Sequence, residues 1–300
     1  MMRVEGIVNV LKPPGMTSSD VVSDVRRLFN TKRVGHTGTL DPGASGVLPI
    51  TLGRATRLFD ILIEKEKEYI AEIAFGSCTD TQDSYGRITE RDESCVSAEA
   101  LQAVLPDFVG QYKQTAPKYS ALKSGGKSLY ELARSGQEVP EKEREVSIYV
   151  LEYVAQTGYN RFLLRIRCSR GTYIRTLCED IGRSIQACAH MSFLLRSASG
   201  TFTVEDSYSI AELSALKEED RLSEAVLSIE RVLEFLPSVH IQNQSDEDRL
   251  KNGCTIDASA LTDAPDYGWC RVYASELLGI GNYSQSGLKL KLHLWPVDSE

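Results

Sequence analysis

The sequence lacks the short motifs that mark several common classes of enzyme. It contains no GxGxxG and no GxxxxGKS or GxxxxGKT, so it does not support a glycine-rich cradle for nucleotide phosphates. It also lacks GxSxG, which weakens a serine-hydrolase interpretation. Its four histidines are far apart and do not have the spacing of metal ligands. We therefore expect any chemistry to need no cofactor and no metal, and to rest on carboxylate, tyrosine, arginine or lysine.

Paired cysteines and long apolar runs are missing as well. The seven cysteines are an odd number and form no CxxC pair, so a disulfide framework and a zinc site are both poorly supported. No apolar run approaches the ~18 residues of a membrane span. The short apolar run before Pro13 does not have the form of a secretory signal peptide. We expect reduced thiols, no membrane association and a cytoplasmic location.

The net charge of −8 argues against a generic nucleic-acid coat, but the charge is unevenly distributed. Residues 1–204 hold 26 basic and 24 acidic side chains, whereas residues 205–300 hold 8 and 18. Residues 110–135 carry five basic side chains against one acidic, and residues 161–196 carry seven arginines against two acidic residues. These clusters indicate either a solvated mixed-charge surface or a local basic face that contacts phosphates.

The pattern of elements predicts an α+β protein. Short strands and amphipathic helices are mixed without a regular βα alternation, which disfavours a doubly wound sheet. Residues 223–236 are predicted to form one helix. Near Pro237 the pattern changes to short strands separated by Gly, Asp and Ser turns. We therefore expect a larger α+β domain over residues 1–236 and a small β module over residues 237–300.

The stretch GHTGTLDPGASG, residues 35–46, places a single carboxylate among four glycines. On composition, Asp41 before Pro42 indicates a tight turn. The functional alternative is that the glycines let a ligand approach the backbone, with Asp41 as the reactive group.

Two further stretches have both a structural and a functional interpretation. Tyr69 lies on the apolar face of the alternating stretch KEYIAEIAFG, as a core tyrosine or as a stacking platform for an unpaired base. Arg170, Tyr173 and Arg175 lie where a strand leads into a helix, in SRGTYIRTLCEDIG. The arginines are either solvated at the helix start, or Arg175 pairs with a buried carboxylate and keeps it ionised.

Five strings occur in order: NVLKPPGMTS, VGHTGTLDPGASGVLPITLGRATR, KEYIAEIAFGSCTDTQDSYG, APKYSALKSGGKSLYELARSG and CSRGTYIRTLCEDIG. Together they resemble the TruB family of bacterial tRNA pseudouridine synthases over about residues 5–235. The tail, through LKNGCTI and GIGNYS, is more loosely similar to the family's PUA-like RNA-binding module. The resemblance implies the pseudouridine-synthase fold, with a mixed, mainly antiparallel sheet and flanking helices. It also implies isomerisation of uridine 55 in the TΨC loop, without cofactor or metal, by a monomer that binds the T-arm of tRNA.

The resemblance also implies roles for single residues. The catalytic aspartate falls on Asp41, the base-stacking tyrosine on Tyr69 and the second active-site tyrosine on Tyr173. The arginine that pairs with the aspartate falls on Arg175. The family's remaining site residues are a histidine beside the flipped nucleotide, which falls on His36, and a leucine of the base pocket, which falls on Leu194 or, with a shift of one, Leu195.

Five basic residues are candidates for contact with RNA: Lys12, Lys118, Lys123, Lys127 and Arg170. For Lys12, in the Lys-Pro-Pro-Gly turn, support of the backbone is the alternative. Arg170 stands where the family often has lysine, and either side chain can meet a phosphate. Gly43 stands where a larger apolar residue is expected, and the lost packing is expected to loosen the Asp41 loop.

Three other functions fit the same residues. A non-catalytic protein that binds or folds tRNA would bind RNA without turnover. A nucleosidase-like hydrolase would use Asp41 to activate water and release free uracil. A pseudouridine synthase could act on another RNA. The sequence also leaves open whether Asp41 attacks C1′ or removes the proton from C2′.

Overall fold

The computed structural model describes residues 4–63, 65–120, 122–257, 261–262 and 267–295. The predicted β module over residues 237–300 therefore includes three stretches outside the described residues, 258–260, 263–266 and 296–300. Residues 64 and 121 also lie outside them. Among the described residues, no helix is long and apolar enough to span a membrane.

The structure alternates irregularly between strands and short helices. The helices are α1 (Ser18–Leu28), α2 (Phe59–Ile63), α3 (Ala98–Val104), α4 (Leu129–Arg134), α5 (Ile174–Ser184), α6 (Ile210–Glu218), α7 (Ile229–Val232) and α8 (Gln244–Lys251). The strands before residue 160 are β1 (Gly6–Lys12), β2 (Val34–His36), β3 (Ser45–Leu52), β4 (Lys67–Phe75), β5 (Ser77–Thr79), β6 (Ile88–Arg91), β7 (Gly110–Thr115), β8 (Lys123–Ser124), β9 (Lys127–Ser128) and β10 (Glu143–Gly158). The later strands are β11 (Arg161–Cys168), β12 (Ala189–Ser199), β13 (Phe202–Thr203), β14 (Ser238–Ile241), β15 (Leu261–Thr262), β16 (Gly268–Tyr273), β17 (Leu277–Ser284) and β18 (Gly287–His293).

A nine-stranded sheet forms the larger part of the molecule, in the order β1-β3-β12-β4-β11-β10-β7, with β2 on β3 and β13 on β12. Its pairs are antiparallel except for β12 with β3, which are parallel over a short register. The predicted mixed, mainly antiparallel α+β sheet is confirmed. Since β4, β11 and β12 lie at its centre, residues distant in sequence meet there.

The alternation in β4 places one face of the strand in the apolar core. Tyr69, Ala71, Ile73 and Phe75 are buried in the main apolar core. Helix α1 covers the same core with Val21 and Val25, which lie on one face. Its start is fixed by a capping box in which Thr17 and Asp20 bind each other's backbone N–H.

The prediction of a single helix over residues 223–236 is wrong. A 3₁₀ turn over Leu222–Ala225 ends first, and α7 begins after Ser228, whose side chain accepts a hydrogen bond from the Arg231 N–H. Between them Leu227 exchanges two backbone hydrogen bonds with Ile7 of β1, at 2.9 and 2.8 Å. This pairing holds Leu227 in an extended conformation and interrupts the helix.

The last part of the chain forms a second sheet in the order β15-β14-β16-β17-β18. It has a small core of its own, which includes Val239, Leu250 and Cys270. Ile280 and Leu294 pack instead into a cluster with residues of the first sheet, such as Val47. The small C-terminal β module is therefore present, and it contacts the 3₁₀ turn over Gly53–Leu58 after β3, where Arg54 and Arg57 donate hydrogen bonds to the carbonyls of Leu294 and His293.

Candidate active site

The Asp41 loop follows β2 and leads into β3, and its carboxylate forms an ion pair with Arg175. Nε of Arg175 lies 2.9 Å from Oδ2 of Asp41, and Nη2 lies 3.3 Å from Oδ1. The Arg175 side chain is 6% exposed, whereas that of Asp41 is 36% exposed. The guanidinium thus supports the carboxylate from inside the protein, and the partly exposed side of the carboxylate is the Asp41 cleft.

Arg175 is held in place by carbonyl groups from two other segments. It lies in the first turn of α5, and it donates hydrogen bonds to the Thr81 and Tyr119 carbonyls, each at 3.1 Å. A second carboxylate, Asp83, lies 3.9 Å from its Nη1. These contacts hold the guanidinium in place. Both of its contacts with the Asp41 carboxylate therefore form without further loss of side-chain entropy at Arg175.

Burial and the ion pair act on the pKa of Asp41 in opposite directions. Burial raises the pKa above its ordinary value, and the nearby Asp83 raises it further. The Arg175 guanidinium lowers it but does not cancel the effect of burial. The site therefore holds a carboxylate that is more basic than an exposed one and that depends on Arg175 for its charge.

Lys12 is buried beneath the same loop. Its ammonium donates hydrogen bonds to the carbonyls of Pro13, Met16 and Pro42, at 2.9, 2.7 and 3.2 Å. Burial lowers its pKa to about 8. This geometry does not fit the prediction that Lys12 contacts RNA. It fits the alternative, support of the backbone that carries Asp41.

Tyr69 lies on β4 directly opposite Arg196 of β12. The buried Arg196 places its charge beside the Tyr69 side chain, and its guanidinium donates hydrogen bonds to the carbonyls of Val47 at 2.7 Å and Gly38 at 3.2 Å. Burial raises the pKa of Tyr69 to about 12. Arg196 therefore links the tyrosine to the loop before Asp41 and to the strand after it.

Sequence reasoning did not single out Arg196 or Asp83. The signal for Arg196 was an arginine in the otherwise apolar stretch MSFLL-R-SAS, which becomes β12. A buried arginine needs several acceptors, so such a position indicates a polar network. Asp83 is the second acidic residue of TDTQD, and its side chain is turned inward rather than solvated.

The register of β12 distinguishes between Leu194 and Leu195. Leu194 is buried and lies opposite Ala71, on the face that Tyr69 and Arg196 share. Leu195 lies opposite Ile70, on the other face of the sheet. Leu194 is thus the leucine that lies next to Tyr69.

His36 and Tyr173 lie in the segments that lead to Asp41 and to Arg175. His36 ends β2, and its Nδ1 accepts a hydrogen bond from the Gly38 N–H at 3.3 Å. Burial and the charge of Arg196 lower its pKa, so the ring is neutral at neutral pH. Tyr173 precedes α5, and both its N–H and its carbonyl bind the buried Gln114 amide, at 2.7 and 3.0 Å.

The remaining basic candidates are exposed. Lys118 adjoins Tyr119, whose carbonyl binds Arg175, and therefore lies close to the cleft. Lys123 and Lys127 lie on the small β8–β9 hairpin, and Arg170 lies in the turn between β11 and α5. The structure therefore brings Asp41 and Arg175 into direct contact and groups Tyr69, Leu194 and His36 around Arg196. It places these four cations on the surface.

The sequence matches known families over most of its length. A model of the TruB family pseudouridylate synthase N-terminal domain matches residues 26–174, and one of the tRNA pseudouridylate synthase B C-terminal domain matches residues 175–234. The tRNA pseudouridine synthase B of Pelotomaculum thermopropionicum is 46% identical over 247 residues, 81% of this chain and 78% of that protein. The protein of the same name from Clostridium perfringens strain 13 is 39% identical over 293 residues, 96% of this chain and 98% of that protein.

Solved structures show the same architecture. A chain from the crystal structure of a Cbf5-Nop10-Gar1 complex superposes with a TM-score of 0.74 at 25% identity, covering 97% of this chain and 85% of that chain. A chain from an H/ACA RNP bound to a substrate RNA containing 2′-deoxyuridine gives a TM-score of 0.73, also at 25% identity, covering 98% and 86%. The chain belongs to the TruB family of pseudouridylate synthases, and it is a tRNA pseudouridine synthase, an isomerase.

Proposed function

We propose that this enzyme converts uridine 55 in the TΨC loop of tRNA to pseudouridine, with Asp41 as the catalytic group. The observation that carries the proposal is the Asp41 carboxylate, which is open to a cleft and supported from behind by Arg175. The N1–C1′ bond breaks, the uracil turns, and a C5–C1′ bond forms. N1 gains a proton and C5 loses one, so the reaction is an isomerisation without an oxidant or water.

The target base first leaves its stack, because its reacting atoms cannot be reached inside a folded loop. Unstacking costs a few kcal/mol, and stacking on an aromatic ring returns about 1–3 kcal/mol. Tyr69 supplies that ring within the cleft, and Leu194 lines the apolar pocket beside it. His36, neutral and half-buried at the end of β2, takes the place that the nucleotide leaves.

Asp41 acts on the ribose as its anion, whether it attacks C1′ or removes the proton from C2′. Arg175 keeps the carboxylate charged, and the burial that raises the pKa of Asp41 makes it a stronger nucleophile or base. The detached uracil must be kept from water, since otherwise the product would be an abasic nucleotide. Because its pKa is about 12, the Tyr69 hydroxyl is a poor base for the C5 proton, and the role of Tyr69 is to stack its ring on the base.

RNA binding rests on four exposed cations, Lys118, Lys123, Lys127 and Arg170. They attract the phosphates of the T-arm although the whole chain carries a charge of −8. We propose a catalytic domain over residues 1–236 and a PUA-like RNA-binding module over residues 237–300. The second sheet, which begins at Ser238 and has its own core, supports this division. We further propose that the enzyme acts as a cytoplasmic monomer.

Mapping pseudouridine in transfer RNA tests the function. Unmodified tRNA is incubated with the protein, and pseudouridine is located at nucleotide resolution by chemical labelling. The proposal predicts a new pseudouridine at position 55 and no free uracil by chromatography. Binding of tRNA with no modified nucleotide would indicate the non-catalytic alternative. Release of uracil would indicate a hydrolase, and modification elsewhere would overturn the assigned position.

A further inference from the structure

The loop between β5 and β6 presents an exposed tyrosine at the rim of the Asp41 cleft. Tyr85 is 75% exposed, although aromatic rings usually bury much of their area. A Cβ atom built on Gly43, two residues after Asp41, would lie 2.0 Å from Cε2 of Tyr85 and 2.8 Å from its hydroxyl oxygen. The Tyr85 ring therefore lies directly against the backbone of the Asp41 loop.

The Tyr85 ring, and not the backbone conformation of Gly43, occupies the space that a side chain at position 43 would need. Gly43 is not among the glycines with a positive φ, so its conformation is open to any residue. Space is what excludes a side chain, because its Cβ would overlap the Tyr85 ring. Gly43 and Tyr85 thus act as a pair, in which the missing side chain of one makes room for the aromatic ring of the other.

The loop that carries Tyr85 is held firmly from within. Oδ1 of Asp83 accepts hydrogen bonds from the Tyr85 N–H at 3.0 Å and from the Thr81 hydroxyl at 2.6 Å. The Ser84 N–H donates to the Met191 carbonyl of β12 at 3.1 Å. The Thr81 carbonyl accepts a hydrogen bond from Arg175. The backbone that carries the ring is therefore fixed relative to Asp41, and a ligand that stacks on the ring does not bear the entropy cost of ordering the loop.

We propose that Tyr85 is a second stacking platform, which binds the base of a nucleotide immediately flanking the target uridine. The inference rests on the proposed function of the cleft. Tyr69 is buried within the cleft, whereas Tyr85 lies outside it beside the same loop. When the target base flips out, its neighbours each lose a stacking partner. An exposed ring at the rim replaces that partner, and it does so for any base, since every base has a π-face.

Steady-state kinetics on a T-arm hairpin tests the proposal. Tyr85→Ala is expected to raise KM about 5- to 150-fold, the usual range for loss of one base–aromatic stack, with little change in kcat. Tyr85→Phe keeps the ring and should stay close to the wild type. The matched control is Tyr159→Ala, since Tyr159 is 76% exposed in the turn after β10, at the far end of β4. An unchanged KM, or a loss confined to kcat, would overturn the proposal.

Two double-mutant cycles, one with Gly43→Ala and one with abasic hairpins, identify what the Tyr85 ring contacts. Gly43→Ala should raise KM in the wild type, because the new methyl group displaces Tyr85, and should have no effect in Tyr85→Ala. On hairpins with an abasic residue on the 5′ or the 3′ side of the target, the effect of Tyr85→Ala should vanish for one of the two. If it persists for both, the ring supports the loop only and the proposal is wrong. Kd values from filter binding give the same comparison even if the wild type shows no turnover, so failure here is distinct from failure of the proposed function.

Discussion

Asp41 and Arg175 form the central pair at the residue scale. Burial in the cleft raises the pKa of Asp41, and Arg175 opposes that rise. The pKa of the Asp41 carboxyl is therefore set by two effects of opposite sign. In this pair Asp41 stays partly exposed, whereas the side chain of Arg175 is only 6% exposed.

The pH dependence of the chemical step follows from this balance. A reaction that needs the Asp41 anion rises with pH through the raised pKa of Asp41, so its acid limb lies above the ordinary range for aspartate. Arg175→Met removes the cation and should move the limb to higher pH and slow the reaction. Arg175→Lys keeps the charge but loses the fork, so its limb should lie between the two.

Single-turnover rates measured from pH 4 to pH 9 give the acid limb of the pH–rate profile directly. Circular dichroism of each variant over the same range separates a shift of the limb from loss of the fold. An acid limb at the same pH in all three proteins would contradict the role given to Arg175.

How far the sequence predicts the site depends on how local each residue's surroundings are. Asp41, Tyr69 and Arg175 lie in short stretches whose residue types limit the chemistry, and in the structure Arg175 contacts Asp41 while Tyr69 lies opposite Arg196. Arg196 was missed because its partners, Gly38, Val47 and Tyr69, come from three other segments. No local pattern encodes such a set of contacts. The same holds for Gly43, whose neighbour Tyr85 lies 42 residues away along the chain.

Helix α1 and the Asp41 loop form one unit at the scale of elements. The buried hydroxyl of Ser18, in the first turn of α1, accepts a hydrogen bond from the Leu40 N–H at 2.9 Å. It also lies 3.2 Å from the Leu40 carbonyl oxygen. Leu40 immediately precedes Asp41, so the helix start fixes the position of the carboxylate. The interrupted segment over residues 223–236 shows the reverse case, since pairing of Leu227 with β1 overrides the local helical pattern.

Ser18→Ala tests the link between the helix and the loop. The buried Leu40 N–H loses its partner, which should lower the free energy of unfolding by about 1–3 kcal/mol. The rate of the chemical step should fall as well, because the Asp41 loop loses its anchor. Urea denaturation and single-turnover assays measure the two effects. Ser19→Ala, at the exposed neighbouring position, is the matched control, and equal effects in the two variants would contradict the link.

Charge is arranged unevenly at the scale of the whole molecule. The net charge of −8 is concentrated in residues 205–300, whereas Lys118, Lys123, Lys127 and Arg170 lie exposed in the catalytic part. A local basic face attracts phosphates even when the total charge is negative, since charges more than about 8–10 Å away are largely screened in physiological salt.

The salt dependence of tRNA binding tests this arrangement. Log K should fall linearly with log salt concentration, and each Lys→Gln change at Lys118, Lys123 or Lys127 should reduce the slope by about one. Arg183 is the control, because Glu179 already pairs with it at 2.8 Å, so Arg183→Gln should leave the slope unchanged. Affinity that barely varies between low and moderate salt would contradict phosphate contacts by this face.

Tritium release from 5-tritiated uridine in a T-arm hairpin, compared between wild type and Asp41→Asn, shows whether Asp41 carries the reaction. Asparagine has nearly the same shape but cannot act as an anionic nucleophile or base. We expect release by the wild type and none by Asp41→Asn, with hairpin affinity within about twofold of the wild type. Near-normal release by Asp41→Asn would show that another group carries the reaction.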